Sequence, residues 1–108
     1  MIAGVDAWND ACLPSHDKDL VDYDSGVVFG TSTLGVDKLI SSAKMTDEGK
    51  VRRMGSSVVI QTMSSGISAF LGGYLGSGNQ VTTNSSACTT GTESILMGYE
   101  RIKYGKAE

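Results

Sequence analysis

Residues 82–94 read TTNSSACTTGTES and place one cysteine, Cys88, in a run of small side chains. The threonines and the position of Gln80 to Ser86 predict a β-strand. Apolar residues at helical spacing from Thr89 to Tyr104 predict an α-helix, with Gly105 as its left-handed stop. We therefore expect Cys88 at the point where a strand turns into a helix.

A cysteine at such a junction has the surroundings that a nucleophile needs. The unpaired N–H groups and the partial positive charge at a helix N-terminus favour a thiolate over a thiol. Small neighbours leave room for a substrate carbonyl, and the Cys88 amide could donate a hydrogen bond to a developing oxyanion. This geometry is that of a nucleophile elbow with sulfur in place of oxygen. A second interpretation stays open, in which Cys88 is a small buried hydrophobic residue.

A second strand is predicted upstream of this junction. Gly26 to Gly30 is a short apolar run between glycines, which is typical of a strand buried on both faces of a parallel sheet. Thr31 to Gly35 then forms a turn at the carboxyl end of the strand, where open α/β sheets bind ligands. The turn resembles a phosphate-binding loop only loosely, because it lacks the GxGxxG spacing and the Lys-Ser/Thr pair. The two strands predict a layered α/β core.

The first residues predict a helix from Ile2 to Cys12. Its buried face is expected to contain Ile2, Val5, Trp8 and Cys12. Cys12 would then be a core residue without chemistry, and we do not expect it to pair with Cys88. Further along, Val36 to Lys44 is predicted to form a short helix and Thr46 to Arg53 a charged surface loop.

The stretch from Ser56 to Leu75 is apolar, has helical spacing and is interrupted by Gly66. The glycine either separates two helices or lets the stretch pack closely against a neighbour. The apolar stripe is expected in the core and includes Ile60, Met63, Ile67, Phe70 and Leu71. The last helix is expected to gather Ile95, Leu96, Tyr99 and Ile102 on one face, with Glu100 and Arg101 pointing outward.

Composition narrows the class of protein. The chain has 108 residues, enough for one small domain, and its net charge of −3 argues against a nucleic-acid-binding face. No apolar run approaches the roughly 20 residues of a membrane span, and we see no signal peptide. We therefore expect a cytoplasmic protein that binds neither nucleic acid nor membrane. Glycine is the outlier, because 14 of 108 residues is about twice its usual share and indicates closely packed backbone.

Two polar features carry less information. His16 is the only histidine and lies among charged neighbours, so we interpret it as a solvated loop residue. No second ligand group lies at metal spacing, and we predict no metal site. The short basic cluster is interpreted as a solvated loop or, alternatively, as a docking patch for an acidic partner; it consists of Lys50, Arg52 and Arg53.

Three segments together resemble the β-ketoacyl-acyl carrier protein synthases, the condensing enzymes of fatty acid synthesis. The stretch NSSACTTGTESILMGYERIKYGKAE, residues 84–108, resembles the segment that carries the family's active-site cysteine. VVIQTMSSGISAFLGG resembles the paired helices before that segment, and GVVFGTSTLG resembles the earlier strand and turn. The distance from Met63 to Cys88 resembles the synthase I type more than the II type. Thiolases and synthase III enzymes use a similar cysteine, but the SSAC context fits the elongating synthases better.

The resemblance implies a fold and a mechanism. The fold would be α/β, a partial thiolase-like fold that comprises a fragment of one αβα half, with two or so strands and four to five helices. Cys88 would accept an acyl group as a thioester from acyl carrier protein or acyl-CoA, without any cofactor. A decarboxylated malonyl unit would then attack that thioester. The Cys88 N–H would supply half of an oxyanion hole, and Ala87, Met63 and Thr33 would line the acyl tunnel.

The resemblance also has gaps. Residues 1–108 are expected to be a partial N-terminal domain without the family's first strands and C-terminal half, which supplies the histidines for malonyl decarboxylation. We therefore expect acyl transfer to be possible and condensation not. Unpaired sheet edges predict an oligomer, and the family pairs the strand before the cysteine, here 80–86, with its copy. The alternative is a non-catalytic oligomer, or a module that needs a second chain, in which Cys88 is a packed thiol.

Overall fold

The computed structural model describes residues 1–14 and 20–108, so the interpretation of His16 falls outside the described residues. Two strands, β1 (Val27–Gly30) and β2 (Val81–Asn84), form the sheet. The helices are α1 (Ile2–Asp10), α2 (Val36–Asp47), α3 (Ser57–Thr62), α4 (Gly66–Leu75) and α5 (Thr90–Lys103). Short 3-10 turns occupy Val51–Arg53 and Ala87–Thr89. The predicted α/β class, with about two strands and four to five helices, is confirmed.

The two strands pair in parallel, as the glycine-bounded apolar run of β1 predicted. Their register sets Val27 opposite Val81 and Gly30 opposite Asn84. The second strand is shorter than the predicted 80–86 segment, because after Asn84 the chain turns away from β1. The Ser86 N–H donates instead to the Thr90 hydroxyl at 2.7 Å, which begins the approach to α5.

The core lies where α4 crosses the sheet. Its buried hydrophobic side chains among the described residues are Val27, Leu71 and Leu75, and Val5, Trp8 and Phe29 pack against them. The hydroxyl of Ser68, which is 1% exposed, lies 2.6 Å from the Thr83 hydroxyl and joins α4 to β2. Helix and sheet are therefore held by a small apolar cluster and one buried polar contact.

The break predicted at Gly66 is real, since α3 ends at Thr62 and α4 begins at Gly66. A β-carbon at Gly66 would overlap the Ile60 carbonyl oxygen, so the glycine also permits close packing. The prediction that the whole stripe is core is wrong at two positions, because Met63 is 45% and Phe70 46% exposed.

Three predictions for other segments need correction. Helix α1 ends at Asp10, so Cys12 lies beyond it in a turn with φ of 54° and is exposed instead of core. Ile2 is also exposed. Helix α2 continues to Asp47, three residues beyond its predicted end, and a 3-10 turn interrupts the predicted loop after it. Arg101 does not point outward, because its guanidinium donates to the Asn79 side-chain oxygen.

The chain exposes more surface than a compact protein of its size. Its accessible area is 7586 Å², against about 5,700 Å² for a folded monomer of this mass. Its radius of gyration is 16.3 Å, against about 13 Å for a compact domain. Helix α5 contributes to this area, because its predicted apolar face is exposed: Ile95, Leu96, Tyr99 and Ile102. None of the helices in the described part of the chain is long and apolar enough to cross a membrane.

Candidate active site

Cys88 lies in the 3-10 turn Ala87–Thr89, between the end of β2 and the start of α5. Its side chain is exposed and free of any disulfide. Within residues 1–14 and 20–108, no acceptor binds the Cys88 amide N–H. The thiol and a free backbone donor therefore lie together at the N-terminal end of α5, as the sequence predicted for an elbow.

Ala87 gives this turn its sharpness. It has a φ of 49°, in the left-handed region that non-glycine residues avoid at a cost of about 1–2 kcal/mol. The small alanine side chain limits the crowding beside Cys88. Such strain persists only where surrounding contacts determine the backbone.

A set of polar side chains supplies those contacts. Ser86 is bonded through its backbone on both sides: its N–H donates to Thr90 Oγ1 at 2.7 Å, and its carbonyl accepts from Thr89 Oγ1 at 2.7 Å. Its hydroxyl donates to the Glu93 carboxylate. Asn84 Nδ2 donates to the Thr90 carbonyl at 3.2 Å, and its Oδ1 accepts from the Ser94 hydroxyl at 2.6 Å. The end of β2 is thereby fixed to the first turns of α5.

Because Gly30 has no side chain, the hydrogen-bonded contact between the end of β2 and the first turns of α5 can lie directly against β1. An added β-carbon there would overlap the Thr90 side chain and lie 2.8 Å from Ser94 Oγ. The Thr31 N–H donates to the Asn84 carbonyl at 3.1 Å and extends the strand pairing past Gly30. The carboxyl ends of both strands and the start of α5 consequently meet in one place, which is the usual ligand-binding edge of a parallel sheet.

The structure brings some of the predicted site residues to that edge. Ala87 adjoins Cys88, and Thr33 lies in the turn that follows β1, three residues after Gly30; both are exposed. Met63 lies beyond the end of α3 with an extended backbone, on a different segment. That segment contacts the Thr33 turn, because a β-carbon at Gly35 would overlap the Gln61 carbonyl oxygen.

An open apolar groove of about 250 Å³ runs between these two segments. It is lined mainly by Leu34, Ile60, Ile67 and Phe70. Neither Thr33, Met63 nor Cys88 lines it. This groove therefore does not join the cysteine to the predicted acyl-binding residues.

Sequence reasoning missed the residues that hold the elbow. Asn84, Ser86 and Glu93 carry no catalytic motif, and their contacts cross the joint between strand and helix. The available signal was a run of Asn and Ser followed by an acidic residue in the first turn of a helix, which is typical of a helix start. Among residues 1–14 and 20–108, no group of His, Cys, Asp and Glu side chains could hold a metal ion.

The family of the chain follows from its match to a family model. The beta-ketoacyl synthase, N-terminal domain, matches residues 1–108. The match extends from the first helix through the elbow to the end of α5, so one family accounts for the strands, the paired helices and the joint around Cys88. The chain belongs to the β-ketoacyl synthase family, as an N-terminal-domain segment.

Proposed function

We propose that Cys88 is the nucleophile of an acyltransferase site. The observation that carries the proposal is an exposed thiol beside an amide N–H that no described residue accepts from, both at the N-terminal end of α5 in a chain of this family. The sulfur attacks the carbonyl carbon of an acyl thioester, and the carbonyl oxygen becomes an oxyanion. The Cys88 N–H donates to that oxyanion and lowers the barrier to attack.

The transfer of the acyl group to Cys88 is balanced in atoms and in charge. A new bond forms between the Cys88 sulfur and the acyl carbon, and the bond from that carbon to the donor's sulfur breaks. The proton lost by the Cys88 thiol goes to the departing thiolate, either directly or through water. The acyl group is then held as a thioester on the protein, which divides a difficult condensation into two steps.

The second step of the family reaction is carbon–carbon bond formation. A malonyl thioester loses carbon dioxide, and the resulting carbanion attacks the acyl group on Cys88 and releases the cysteine thiolate. We propose acyl carrier protein or coenzyme A as the donor of the acyl group, carrier protein as the carrier of the malonyl unit, and the cytoplasm as the location. The family uses two histidines to stabilise the decarboxylating malonyl group, and the sequence has one, His16, so we propose that residues 1–108 accept an acyl group but do not condense it.

Acylation of Cys88 can be measured directly. The chain is incubated with a medium-length saturated acyl-CoA, and intact-mass spectrometry follows the added acyl group. We expect one group, located on Cys88 by peptide mapping and released by neutral hydroxylamine. Cys12→Ala should keep the acylation and Cys88→Ala should abolish it. Equal labelling of both cysteines, or none on Cys88, would refute the proposal.

A second candidate function is that of a non-catalytic oligomeric module. Its support is the exposed area, which exceeds that of a compact monomer by roughly a third. Within the chain Cys88 is exposed, so it could be a packed thiol only against another polypeptide. We propose that a second copy of the chain pairs with the free edge of β2 and covers part of the exposed surface. Folded, associated protein that never acylates Cys88 would favour this candidate.

A further inference from the structure

We infer that Glu93 is a positioning residue for Cys88: its carboxylate holds Ser86 and, through Ser86, keeps Ala87 in the left-handed conformation that presents the thiol. This inference rests on the proposed function of Cys88. Glu93 does not touch the reacting sulfur in the contacts that the structure describes. It binds Ser86, which lies two residues before the cysteine, and acts through the backbone between them.

The Glu93 carboxylate binds two residues that precede the turn carrying Cys88. Its Oε2 accepts from the Ser86 hydroxyl and from Asn84 Nδ2, the latter at 3.4 Å. It is half-buried, and no Lys or Arg of the described residues forms an ion pair with it. Its charge is instead stabilised by two neutral donors and by the N-terminal end of α5. A half-buried carboxylate without a counter-ion is costly unless its donors are retained.

Ser86 is the point through which this carboxylate controls the turn. With the Glu93 contact, its backbone N–H, its carbonyl and its side-chain hydroxyl all have partners on α5 or on the turn before it. One of these partners, Thr89, is itself part of the turn and would move with it, whereas Thr90 is the first residue of α5. Glu93 lies one helical turn further along and provides a fixed reference. Its removal would leave Ala87 free to relax to a negative φ.

The chemistry of the contact requires an acceptor. The Ser86 hydroxyl and the Asn84 amide both donate, and a carboxylate can accept from both. Both donors bind the same oxygen, Oε2, which the amide oxygen of a glutamine can replace, but the two hydrogen bonds then lose the contribution of the negative charge. We therefore expect Glu93→Gln to retain part of the positioning and Glu93→Ala to lose most of it.

The test compares thiol reactivity and backbone geometry in a Cys12→Ser background. The iodoacetamide alkylation rate of Cys88 should fall about three- to tenfold in Glu93→Ala, the factor that corresponds to one or two lost hydrogen bonds. Glu93→Gln should lie between Glu93→Ala and the parent. Glu100→Ala is the matched control, because Glu100 is an exposed glutamate on the same helix without a described side-chain hydrogen bond. It should leave the rate unchanged.

Two further readouts separate positioning from general stability. Backbone chemical shifts should report loss of the left-handed Ala87 in Glu93→Ala, while the shifts of α4 stay the same. Ala87→Gly should restore most of the alkylation rate to Glu93→Ala, because glycine adopts this conformation without the carboxylate. A merely destabilised protein would not be rescued in this way.

The outcomes for positioning and for acyl transfer are distinct. An unchanged rate with Ala87 still left-handed in Glu93→Ala would overturn the inference. If Glu93→Ala releases Ala87 but the parent never takes an acyl group, the positioning role holds and the proposed acyltransferase function fails. If Glu93→Ala does not fold, the graded loss in Glu93→Gln decides the matter, and an unchanged Glu93→Gln would count against the inference.

Discussion

Gly30 of β1 and Thr90 of α5 are in such close contact that no side chain fits between them. A β-carbon on Gly30 would overlap the Thr90 methyl group and lie 2.9 Å from the Thr90 carbonyl oxygen. Thr90 is also the residue whose hydroxyl accepts from the Ser86 N–H at 2.7 Å. The contact therefore links the packing of helix on sheet to the shape of the turn that carries Cys88.

Gly30→Ala is expected to destabilise the fold. The added methyl group must displace the backbone of α5, and such overpacking typically costs about 1–3 kcal/mol. Chemical denaturation followed by circular dichroism measures the loss. Acylation of Cys88 should fall as well, since the displaced helix carries the Thr90 and Glu93 contacts with the elbow.

The control for this change is Gly98→Ala on α5. A β-carbon at Gly98 meets no atom within 4 Å, so the substitution adds helix propensity without a clash. We expect it to stabilise the chain by about 0.5–1 kcal/mol. Equal stability of the two alanine variants would show that Gly30 does not limit the packing of α5 on β1.

The contact between Ser68 and Thr83 predicts a measurable coupling. Their hydroxyls lie 2.6 Å apart, and Ser68 is buried. A double-mutant cycle with Ser68→Ala and Thr83→Val should give a coupling energy of about 0.5–1.5 kcal/mol in the free energy of unfolding. Ser41→Ala removes an exposed hydroxyl from α2 and should change stability by only a few tenths of a kcal/mol. A coupling energy of zero would show that the contact does not contribute to the free energy of unfolding.

Much of this fold follows from the period of its apolar residues. The spacing located α1, α5 and the stretch that contains α3 and α4, and the glycine-bounded run at Gly26–Gly30 indicated a parallel strand. The burial of side chains was predicted less well from the spacing, because a helical period identifies an apolar face but not the partner that covers it. The face of α5 with Ile95 and Tyr99 has the predicted spacing and is nevertheless exposed.

Some features of the candidate site could likewise be predicted from the sequence, and others could not. The position of Cys88 at a strand-to-helix turn followed from local sequence, since both elements are defined by neighbouring residues. The bonds from Asn84 and Ser86 to α5 did not, because they depend on how helix and strand pack. The left-handed Ala87 was equally unpredictable, as only tertiary contacts hold a non-glycine residue there.

Asp22 predicts a pH dependence of stability. The Ser25 hydroxyl and the Asp24 backbone N–H donate to its carboxylate and hold the pKa of Asp22 below its ordinary value. A folded-state pKa below the unfolded one stabilises the fold above the unfolded value, about 3.9 for aspartate. That stabilisation is lost as the pH falls through the lower folded-state pKa.

Asp22→Asn should therefore lower the unfolding midpoint near neutral pH, with a difference from the parent that shrinks below about pH 4. The effect will be small, because Asp22 is exposed. Denaturant unfolding between pH 7 and the acid limit measures it. Asp6→Asn is the control, because Asp6 is exposed on α1 and has no described side-chain hydrogen bond, and it should leave the unfolding midpoint at neutral pH unchanged. A constant difference between Asp22→Asn and the parent at all pH values would contradict the linkage.

Self-association through β2 is the last prediction. The N–H groups of Val27 and Thr31 donate to the carbonyls of Gln80 and Asn84. In a parallel ladder, the alternate residues of β2 therefore point their backbone groups to the other edge, and Val81 is one of them. Among the described residues no strand occupies that edge. We therefore expect a second copy of the chain to pair along that edge and to cover part of the exposed surface.

Sedimentation velocity should accordingly show a dimer, and Val81→Pro should shift it toward the monomer, because proline removes a backbone donor from the free edge. Ile95→Ser distinguishes the competing interface: it removes an exposed side chain from α5 and leaves the edge of β2 intact. If only Ile95→Ser lowers the mass, association runs through the helix face and the strand-pairing proposal is wrong. Circular dichroism of both variants verifies that each remains folded, so that a lower mass reports the interface.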